Sequence, residues 1–274
     1  MHLPIRASAL CLLAGVSIAA VAAAAASRPV WAMVGGAQPA TGIVGRSVVM
    51  IVGSYGTACT ATAIAPALLL TAAHCVEPGA DYKLVVLSPG AKPSPGASPM
   101  FKDIARVARD PQFDIKKLFG HLATADVALA KLAQPLPTNL FSPLTLDRAA
   151  RPPRAGDSFL VAGYGVSVRG VGRTTGTLRV ANLVATGIPN FLQLRLVDPR
   201  TEGQRAGLGA CAGDSGAPVL REDDNTLAIV GIVSWSTGPR LSAGCGGLTG
   251  VTPLSRYAPW IRQAAHTLGS PLAP

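Results

Sequence analysis

Ser215 is the residue whose neighbours first suggest chemistry. It lies in ACAGDSGAPV (residues 210–219), between Asp214 and Gly216. Gly, Asp and Ser often cluster only because they tolerate the backbone angles of turns, so this segment alone is more typical of a polar loop. A serine hydroxyl becomes a nucleophile when a base takes its proton and an acid orients that base. A nucleophilic Ser215 therefore requires a histidine and an acid elsewhere in the chain.

His74 is the favoured base among the three histidines that follow residue 32. His266 falls near the end of a predicted terminal helix, where a solvent-facing role is expected. His121 stands in LFGHLATAD, a loop with no distinguishing neighbours. His74 instead follows the strand-like run LLLTAA and directly precedes Cys75, so that a disulfide would hold its backbone in place.

Asp126 is the favoured acid. It begins DVALAKL, whose apolar character predicts burial, and a buried carboxylate needs a hydrogen-bond donor such as a histidine N–H. Asp103, Asp110 and Asp114 stand among lysines and arginines, where we expect solvated charges. The sequence therefore predicts that Asp126 orients His74.

The first 32 residues predict a secretory signal peptide. His2 and Arg6 precede an acid-free, alanine-rich apolar run from Ala7 to Ala26. Small residues permit cleavage after Ala32 or after Ala26, and the second site would leave residues 27–32 as a short propeptide. A membrane anchor is the alternative, because the run is about 20 residues long. We expect cleavage after Ala32, no stable anchor afterwards, and a secreted or periplasmic protein.

The charge and the cysteines restrict the function classes. The formal charge of +10 becomes +8 when residues 1–32 are removed. The lysines and arginines of the remaining chain are scattered singly, so we expect no nucleic-acid partner.

Four cysteines remain after Cys11 is removed, and an even number in an exported chain predicts two disulfides. Three connectivities are possible; we expect the sequence-local pairs Cys59–Cys75 and Cys211–Cys245. The chain has no C-x-x-C spacing, the pattern that would indicate a metal site.

Short apolar runs bounded by Gly, Pro, Ser or Asn dominate the rest of the chain and predict an all-β protein. The predicted strands are SVVMIVG, TAIAP, ALLLTAA, YKLVVLS, DVALAKL, DSFLVAG, LRVANLVAT, FLQLRL, APVL and LAIVGIVSW. Only PLSRYAPWIRQAAHTLG is helical in pattern, with Tyr257, Trp260, Ile261 and Ala264 on one face and Gly269 as its end. Residues 88–99, rich in Pro, Gly and Ser, predict a loop.

Three ordered motifs resemble the signatures of the trypsin-like (chymotrypsin-type) serine peptidases: TAAHC (71–75), DVALAKL (126–132) and GDSGAP (213–218). MVGG, GYG, VSW and YAPWIRQ match further family segments, so the resemblance covers nearly all of the chain after the leader. It implies two packed six-stranded antiparallel Greek-key β-barrels with a C-terminal α-helix. The first barrel would span residues 33–145 and carry His74 and Asp126; the second would span 146–274 and carry Ser215.

The resemblance also implies residue roles. Ser215 would be the nucleophile, His74 the general base and then acid, and Asp126 the orienting acid. The backbone N–H groups of Gly213 and Ser215 would form the oxyanion hole. The amine of a new N-terminus at Met33, where the family usually has Ile, would pair with Asp214.

By the same resemblance, the substrate pocket would be uncharged. Gly209 stands at its floor in place of an acid that would attract Lys or Arg, and its walls would come from Ala210, Ser234, Trp235, Ser236 and Gly250. Because no fixed charge would offset the desolvation of a buried ion, we expect cleavage after uncharged residues.

The resemblance implies a monomeric serine endopeptidase that acts on polypeptide substrates and needs no cofactor or metal. A protein inhibitor would be a second kind of partner. The alternative is a catalytically silent binding protein of the same fold that acts through its basic surface. A missing triad member usually marks such proteins, whereas His74, Asp126 and Ser215 are all present.

Overall fold

The chain is built mainly from short strands, described by a computed structural model over residues 33–86, 100–148, 152–187, 192–223 and 226–272. The predicted signal peptide (1–32) and the predicted loop at 88–99 lie outside the described residues. The strands within the described ranges, numbered in chain order, are β1 (Gln38–Pro39), β2 (Val48–Gly53), β3 (Ala58–Ala65), β4 (Leu68–Thr71), β5 (Tyr82–Val86), β6 (Met100–Arg109), β7 (Ala128–Leu132), β8 (Thr145–Leu146), β9 (Ser158–Gly163), β10 (Arg179–Ala185), β11 (Leu194–Val197), β12 (Pro218–Asp223), β13 (Thr226–Ser236) and β14 (Thr249–Pro253).

Within the same described residues, three α-helices accompany these strands: α1 (Gly42–Ser47), α2 (Ile115–Phe119) and α3 (Ala258–Thr267). α3 confirms the predicted terminal helix and buries Ile261 and Ala264. Tyr257, directly before the helix, is also buried, whereas Trp260 is half-buried. Gly269 follows the helix with φ 69°, the left-handed conformation that commonly ends helices. Among the described residues, no helix has both the length and the apolar composition needed to span a bilayer.

The first barrel closes in the strand order β2-β3-β4-β7-β6-β5, with every pair antiparallel. Its interior is filled by small and branched apolar side chains, as a narrow barrel requires. All four residues of β4 are buried, and β7 contributes Leu129 and Leu132 to the same core. The barrel therefore holds the end of β4 beside the start of β7.

The second barrel closes in the order β9-β10-β11-β14-β13-β12, because β12 and β10 both pair with β9. These ladders are also antiparallel. Phe159, Leu183 and Leu196 are among its largest buried side chains. Two antiparallel six-stranded barrels and a C-terminal helix confirm the predicted fold class.

Short segments from each half of the chain attach to the other half. β1 pairs with β10 of the second barrel, and β8 lies parallel to β13. In the opposite direction, α3 packs into the core of the first barrel, and Nη2 of Arg106 donates a hydrogen bond to the carbonyl of Leu268 (2.9 Å). These exchanges fix the two barrels against each other.

Candidate active site

His74 lies just after β4, in a single 3₁₀ turn formed by Ala73–Cys75. Cys75 is joined to Cys59 on β3 by a disulfide, so the end of the turn is covalently held. Ala73 and Cys75 are fully buried, whereas the side chain of His74 is 19% exposed. The imidazole is therefore the part of this turn that solvent can reach.

Asp126 lies directly beside this imidazole, two residues before β7, and is completely buried. Its Oδ2 is 2.8 Å from His74 Nδ1, and its Oδ1 accepts the backbone N–H of the same residue at 3.0 Å. Because a carboxylate can only accept, the shared proton lies on Nδ1. The Nε2 atom of the neutral ring is then free to take a proton.

Ser234 donates its hydroxyl to the same Oδ2 of Asp126 at 2.5 Å. The sequence placed Ser234 in the wall of a substrate pocket, and no sequence signal connected it with Asp126. The structure directs its hydroxyl to the carboxylate from β13 of the second barrel. Both oxygens of this buried carboxylate are thus hydrogen-bonded, as a buried charge requires.

The Ser215 loop is held to the first barrel by Thr60 on β3. The Thr60 N–H donates to the carbonyl of Ser215 (2.9 Å), and its hydroxyl donates to the carbonyl of Gly213 (2.8 Å). Thr60 directly follows Cys59, whose disulfide holds Cys75 beside His74. Sequence analysis missed Thr60, because its partners are more than 150 positions away.

Gly216 brings the same loop against the segment that precedes His74. Its φ is 79°, and a Cβ at this position would overlap the side chain of Thr71 and crowd the backbone of Ala72. Only glycine allows this approach without strain. The structure therefore brings the half-buried Ser215 next to the His74 turn.

The backbone amides around Ser215 fall into two groups. Those of Asp214, Gly216 and Ala217 donate to carbonyls within the second barrel. Within the described ranges, the amides of Gly213 and Ser215 have no acceptor. Gly213 has φ 93°, a conformation that glycine adopts readily. Two unsatisfied amides beside a serine hydroxyl can stabilise a developing negative charge.

Asp214 points away from these amides into the protein and is completely buried. Its Oδ1 accepts the N–H of Gly165 and its Oδ2 that of Cys211, both at 2.9 Å. A Cβ on Gly163 or Gly165 would overlap this carboxylate, which explains the two glycines of the GYG segment. Burial raises the pKa of Asp214, and the two hydrogen bonds lower it. Because burial is the larger effect, the pKa rises to about 7.

Met33 begins the described chain and is fully buried in the core of the second barrel. Val34 forms a β-bridge with Gly209, and a Cβ on Gly35 would overlap the backbone of Gly207. The first described residues are thus seated against the segment that leads to Ser215. This is the region in which the sequence predicts an N-terminal pairing with Asp214.

The residues expected to form a substrate pocket come from three neighbouring segments: the one that leads to Ser215, β13 and β14. The N–H of Ala210 donates to the hydroxyl of Thr249 (3.1 Å), a buried residue that sequence analysis did not select. A Cβ on Gly209 would lie 3.2 Å from the Cα of Gly246. Gly250 packs directly under the indole of Trp235, where any side chain would overlap the ring. Ser236 donates to the carbonyl of Gly244 at 3.4 Å.

The cysteines form the two local pairs, Cys59–Cys75 and Cys211–Cys245. The second disulfide joins the Ser215 loop to the segment after β13. Side-chain donors of Cys59, His74 and Cys75 lie within 4.8 Å of one another, a spacing that could suit a metal ion. Because both sulfurs belong to a disulfide, they are not the thiolates that bind zinc.

The other acids near the first barrel have separate roles. Asp103 forms an exposed ion pair with Lys83 (3.3 Å), as expected for a solvated charge. Asp114 accepts the N–H groups of Lys116 and Lys117 and so caps α2. The expectation of a solvated charge is wrong for Asp110, which is 6% exposed and whose pKa is raised by burial.

The chain is similar to known proteases over most of its length. The family model described as Trypsin matches residues 33–261. A trypsin-like protease of Streptomyces glaucescens is 30% identical over 210 residues, which are 73% of this chain and 72% of that protein. Kallikrein-11 of Homo sapiens is 29% identical over 217 residues, which are 75% of this chain and 71% of that protein. Transmembrane protease serine 9 of Rattus norvegicus is 29% identical over 230 residues, 79% of this chain but 20% of that protein.

Proposed function

The chain belongs to the trypsin family and is a serine endopeptidase, and from this premise we propose that Ser215, His74 and Asp126 act together as its catalytic triad. The observation that carries the proposal is the pair of hydrogen bonds from His74 to the buried Asp126. They hold the imidazole on the first barrel, while Thr60 and Gly216 bring the Ser215 loop against it.

The reaction proceeds through an acyl-enzyme. Ser215 Oγ attacks the carbonyl carbon of the scissile bond as His74 Nε2 takes the hydroxyl proton. The tetrahedral adduct collapses, the C–N bond breaks, and His74 gives the proton to the departing amine. Water then attacks the ester with His74 again as base, and the carboxylic acid product leaves as Ser215 recovers its proton. Asp126 stabilises the imidazolium in both steps.

The oxyanion of each tetrahedral adduct is bound by the backbone amides of Gly213 and Ser215. Their lack of an acceptor among the described residues supports this role. Because the donors are already in place, they need no reorganisation when charge develops on the substrate oxygen.

The amine of Met33 forms an ion pair with Asp214 once the preceding residues are removed. The Asp214 carboxylate is buried with two amide donors and has no cationic partner among the described side chains. An ammonium group would offset the cost of burying its charge. The burial of Met33 in the second barrel and the start of the family match at residue 33 support this N-terminus.

Cleavage follows an uncharged residue. Gly209, Ala210 and Gly250 contribute no acidic side chain, and the hydroxyl of the buried Thr249 accepts the N–H of Ala210. The carboxylates of Asp198 and Asp214 are buried and accept the backbone N–H groups of Leu208 and Cys211. A cationic substrate side chain would lose its hydration there without gaining a counter-charge.

The enzyme is exported as a precursor, and residues 1–32 act as its signal peptide. The charged start, the apolar run and the small residues before Met33 support export. Two disulfides are also typical of an oxidising compartment, either outside the cell or in a periplasm. The enzyme works there as a monomer on polypeptide substrates, and a protein inhibitor would bind at the same site.

Labelling with a fluorophosphonate probe, read by intact mass, tests the triad. We expect one probe per wild-type molecule, none on Ser215→Ala, and full labelling of Ser255→Ala, which removes an exposed serine in the turn before α3. An unlabelled mass that corresponds to a chain from Met33 would support the proposed N-terminus. Labelling of Ser215→Ala, or a folded wild-type protein from Met33 that takes no probe, would contradict the proposed triad.

A further inference from the structure

A groove lies between β6 and α3, on the face of the first barrel against which this helix packs. Its volume is about 640 Å³, within the range of ligand sites in proteins. Trp260, Ala264 and Leu268 line one side of it, because residues three or four positions apart share one face of a helix. Val107 and Pro111 line the other side. None of the described residues that line this groove, which we call the α3 groove, belongs to the candidate active site.

Three polar side chains stand at the rim of the α3 groove. They are Arg106, Gln263 and Thr267, and all three are exposed. The Thr267 hydroxyl donates to the backbone carbonyl of Gln263 at 3.0 Å, so its oxygen can still accept a hydrogen bond. The side-chain amide of Gln263 has no partner among the described residues. An amide and a hydroxyl beside apolar walls can bind the backbone of a peptide.

Arg106 and Lys131 place two positive charges at one end of the groove. They are paired residues of β6 and β7, so their side chains lie together on one face of the sheet. Nη2 of Arg106 donates to the carbonyl of Leu268 (2.9 Å), and Nζ of Lys131 donates to the hydroxyl of Ser270 (2.5 Å). Both cations therefore lie at the C-terminus of α3. A helix C-terminus carries only about half a negative charge, which two cations exceed.

This excess of positive charge favours an anionic ligand. Within the described ranges, no side chain that lines the groove is acidic. The Nε–H and Nη1–H groups of Arg106 have no acceptor among the same residues. A carboxylate is the anion whose shape suits a guanidinium group best among the groups that peptides carry. We therefore expect a carboxylate beside Arg106.

The length of the groove suits a short peptide. Trp260 and Thr267 are seven positions apart on α3, which is about 10 Å along the helix axis. An extended peptide covers this distance with about three residues. Its backbone would also meet the amide of Gln263, whereas a fatty acid would leave the amide and the Thr267 hydroxyl without a polar partner.

We propose that the α3 groove binds the C-terminus of a peptide, with the terminal carboxylate on Arg106 and uncharged side chains against Trp260 and Leu268. The proposed endopeptidase releases such peptides when it cleaves after an uncharged residue. The source of the ligand thus rests on the proposed function, whereas the binding itself does not. A cleaved peptide would be held on the enzyme at a second site, where it contacts both β6 and α3.

The fluorescence of Trp260 tests this binding. Trp235 and Trp260 are the only tryptophans after residue 32. A reporter chain from Met33 with Ser215→Ala and Trp235→Phe therefore keeps one tryptophan and lacks the proposed nucleophile. The probe is N-acetyl-Ala-Ala-Leu with a free carboxylate, compared with its C-terminal amide. We expect the acid to change the Trp260 emission to saturation, and the amide to bind at least about tenfold more weakly, because it loses hydrogen bonds to a charged group.

Two variants of the reporter chain locate the binding site. Arg106→Gln should weaken binding of the acid by about tenfold or more, because it removes the cation. Arg262→Gln is the matched control, since it removes the same charge from an exposed residue of α3 that does not line the groove, and it should keep the Kd of the reporter chain. Far-UV circular dichroism measures whether each variant is folded.

Gln263→Ala provides a second test that does not involve the contact between Arg106 and Leu268. The Gln263 side chain is exposed and has no described partner to lose, so we expect this variant to fold. It should weaken binding of both the acid and the amide by about threefold, the effect of losing one neutral hydrogen bond. An unchanged Kd in both Arg106→Gln and Gln263→Ala would place the peptide elsewhere and overturn the proposal.

Three other outcomes would also overturn it. The first is equal affinity of the acid and the amide, or no change in emission up to about 10 mM peptide, above the millimolar range of weak binding. The second is an equal loss in Arg106→Gln and Arg262→Gln, which would indicate a general effect of charge. The third is decanoate that binds as tightly as the peptide, which would assign the groove to aliphatic carboxylates.

The binding test and the test of the triad fail separately. Because the reporter chain lacks the Ser215 hydroxyl, its affinity for the peptide does not depend on catalysis. A folded wild type that takes no fluorophosphonate would overturn the triad and the proposed source of the peptide. A wild type that takes the probe, together with a reporter chain that binds no peptide, would overturn the α3 groove alone.

Discussion

The carboxylate of Asp126 holds His74 at two points, accepting its backbone N–H on one oxygen and its ring Nδ1–H on the other. A single hydrogen bond would leave the imidazole free to rotate about it. Two bonds from one residue set both the position of the backbone and the direction of the ring. The second oxygen also accepts the hydroxyl of Ser234, so the base is oriented by residues from both barrels.

We predict that Asp126 and Ser234 act as one unit. Asp126→Asn should lower kcat by about 10⁴-fold, because an amide can impose the wrong histidine tautomer. Ser234→Ala should lower it by about tenfold or more, the effect of losing one hydrogen bond to a charged group. Steady-state kinetics of the two single variants and the double variant measure the coupling. A double variant whose loss equals the product of the single losses would contradict the shared role.

We also predict that the stability of the unprocessed protein depends on Asp214. In the folded chain its pKa is about 7, against 3.8 for an unperturbed carboxyl. The folded state therefore binds more protons than the unfolded state between about pH 4 and pH 7, and the free energy of unfolding falls as pH rises through this window. Above pH 7 the contribution of Asp214 to the free energy of unfolding no longer changes with pH. Urea unfolding, followed by tryptophan fluorescence, measures the slope.

Two comparisons isolate this effect of Asp214. In a Ser215→Ala chain that begins at Ser27, adding Asp214→Asn should remove the fall between pH 4 and pH 7. A chain that begins at Met33 should also lose most of it, because the free ammonium group favours the ionised carboxylate. Equal slopes for the chains from Ser27 and from Met33 would argue against the ion pair between Met33 and Asp214.

Gly209→Asp should change the residue preferred at the cleavage site. A Cβ at this position would lie 3.2 Å from the Cα of Gly246, so a small shift of the backbone can accommodate it. The added carboxylate should raise kcat/KM for Lys or Arg substrates relative to Leu by at least about tenfold, since it pairs with a cation. Gly209→Ala adds the bulk without the charge and should not favour cations. An unchanged preference in Gly209→Asp would place the pocket elsewhere.

Both disulfides should stabilise the fold, the second more than the first. Their cysteines are 16 and 34 positions apart, which corresponds to about 3 and about 4 kcal/mol from loop closure. Replacing each pair with serines should lower the free energy of unfolding in that order, as urea titrations at pH 5 would measure. If the Cys59–Cys75 pair proves more stabilising, contacts around His74 outweigh the entropy of the unfolded chain.

Local sequence patterns were sufficient to predict many of the strands and α3. Runs such as SVVMIVG and LRVANLVAT are apolar enough to indicate β2 and β10. The sequence did not predict β6, because all ten of its residues are exposed or half-buried and no apolar run marks it. β14, Thr249–Pro253, was also missed, because its Thr, Gly and Pro are typical of loops although all five residues are buried.

The sequence by itself determined which residues could react, because a nucleophile, a base and an acid are recognised by type and by their neighbours. The tertiary structure alone decided how they are held. The bonds from Ser234 to Asp126, from Thr60 to Gly213 and from Gly165 to Asp214 join positions about 50 to 150 residues apart. The burial of Asp110 and the stacking of His121 on Trp235 likewise arise only where separate segments meet. Such contacts depend on the packing of two barrels, which no local pattern encodes.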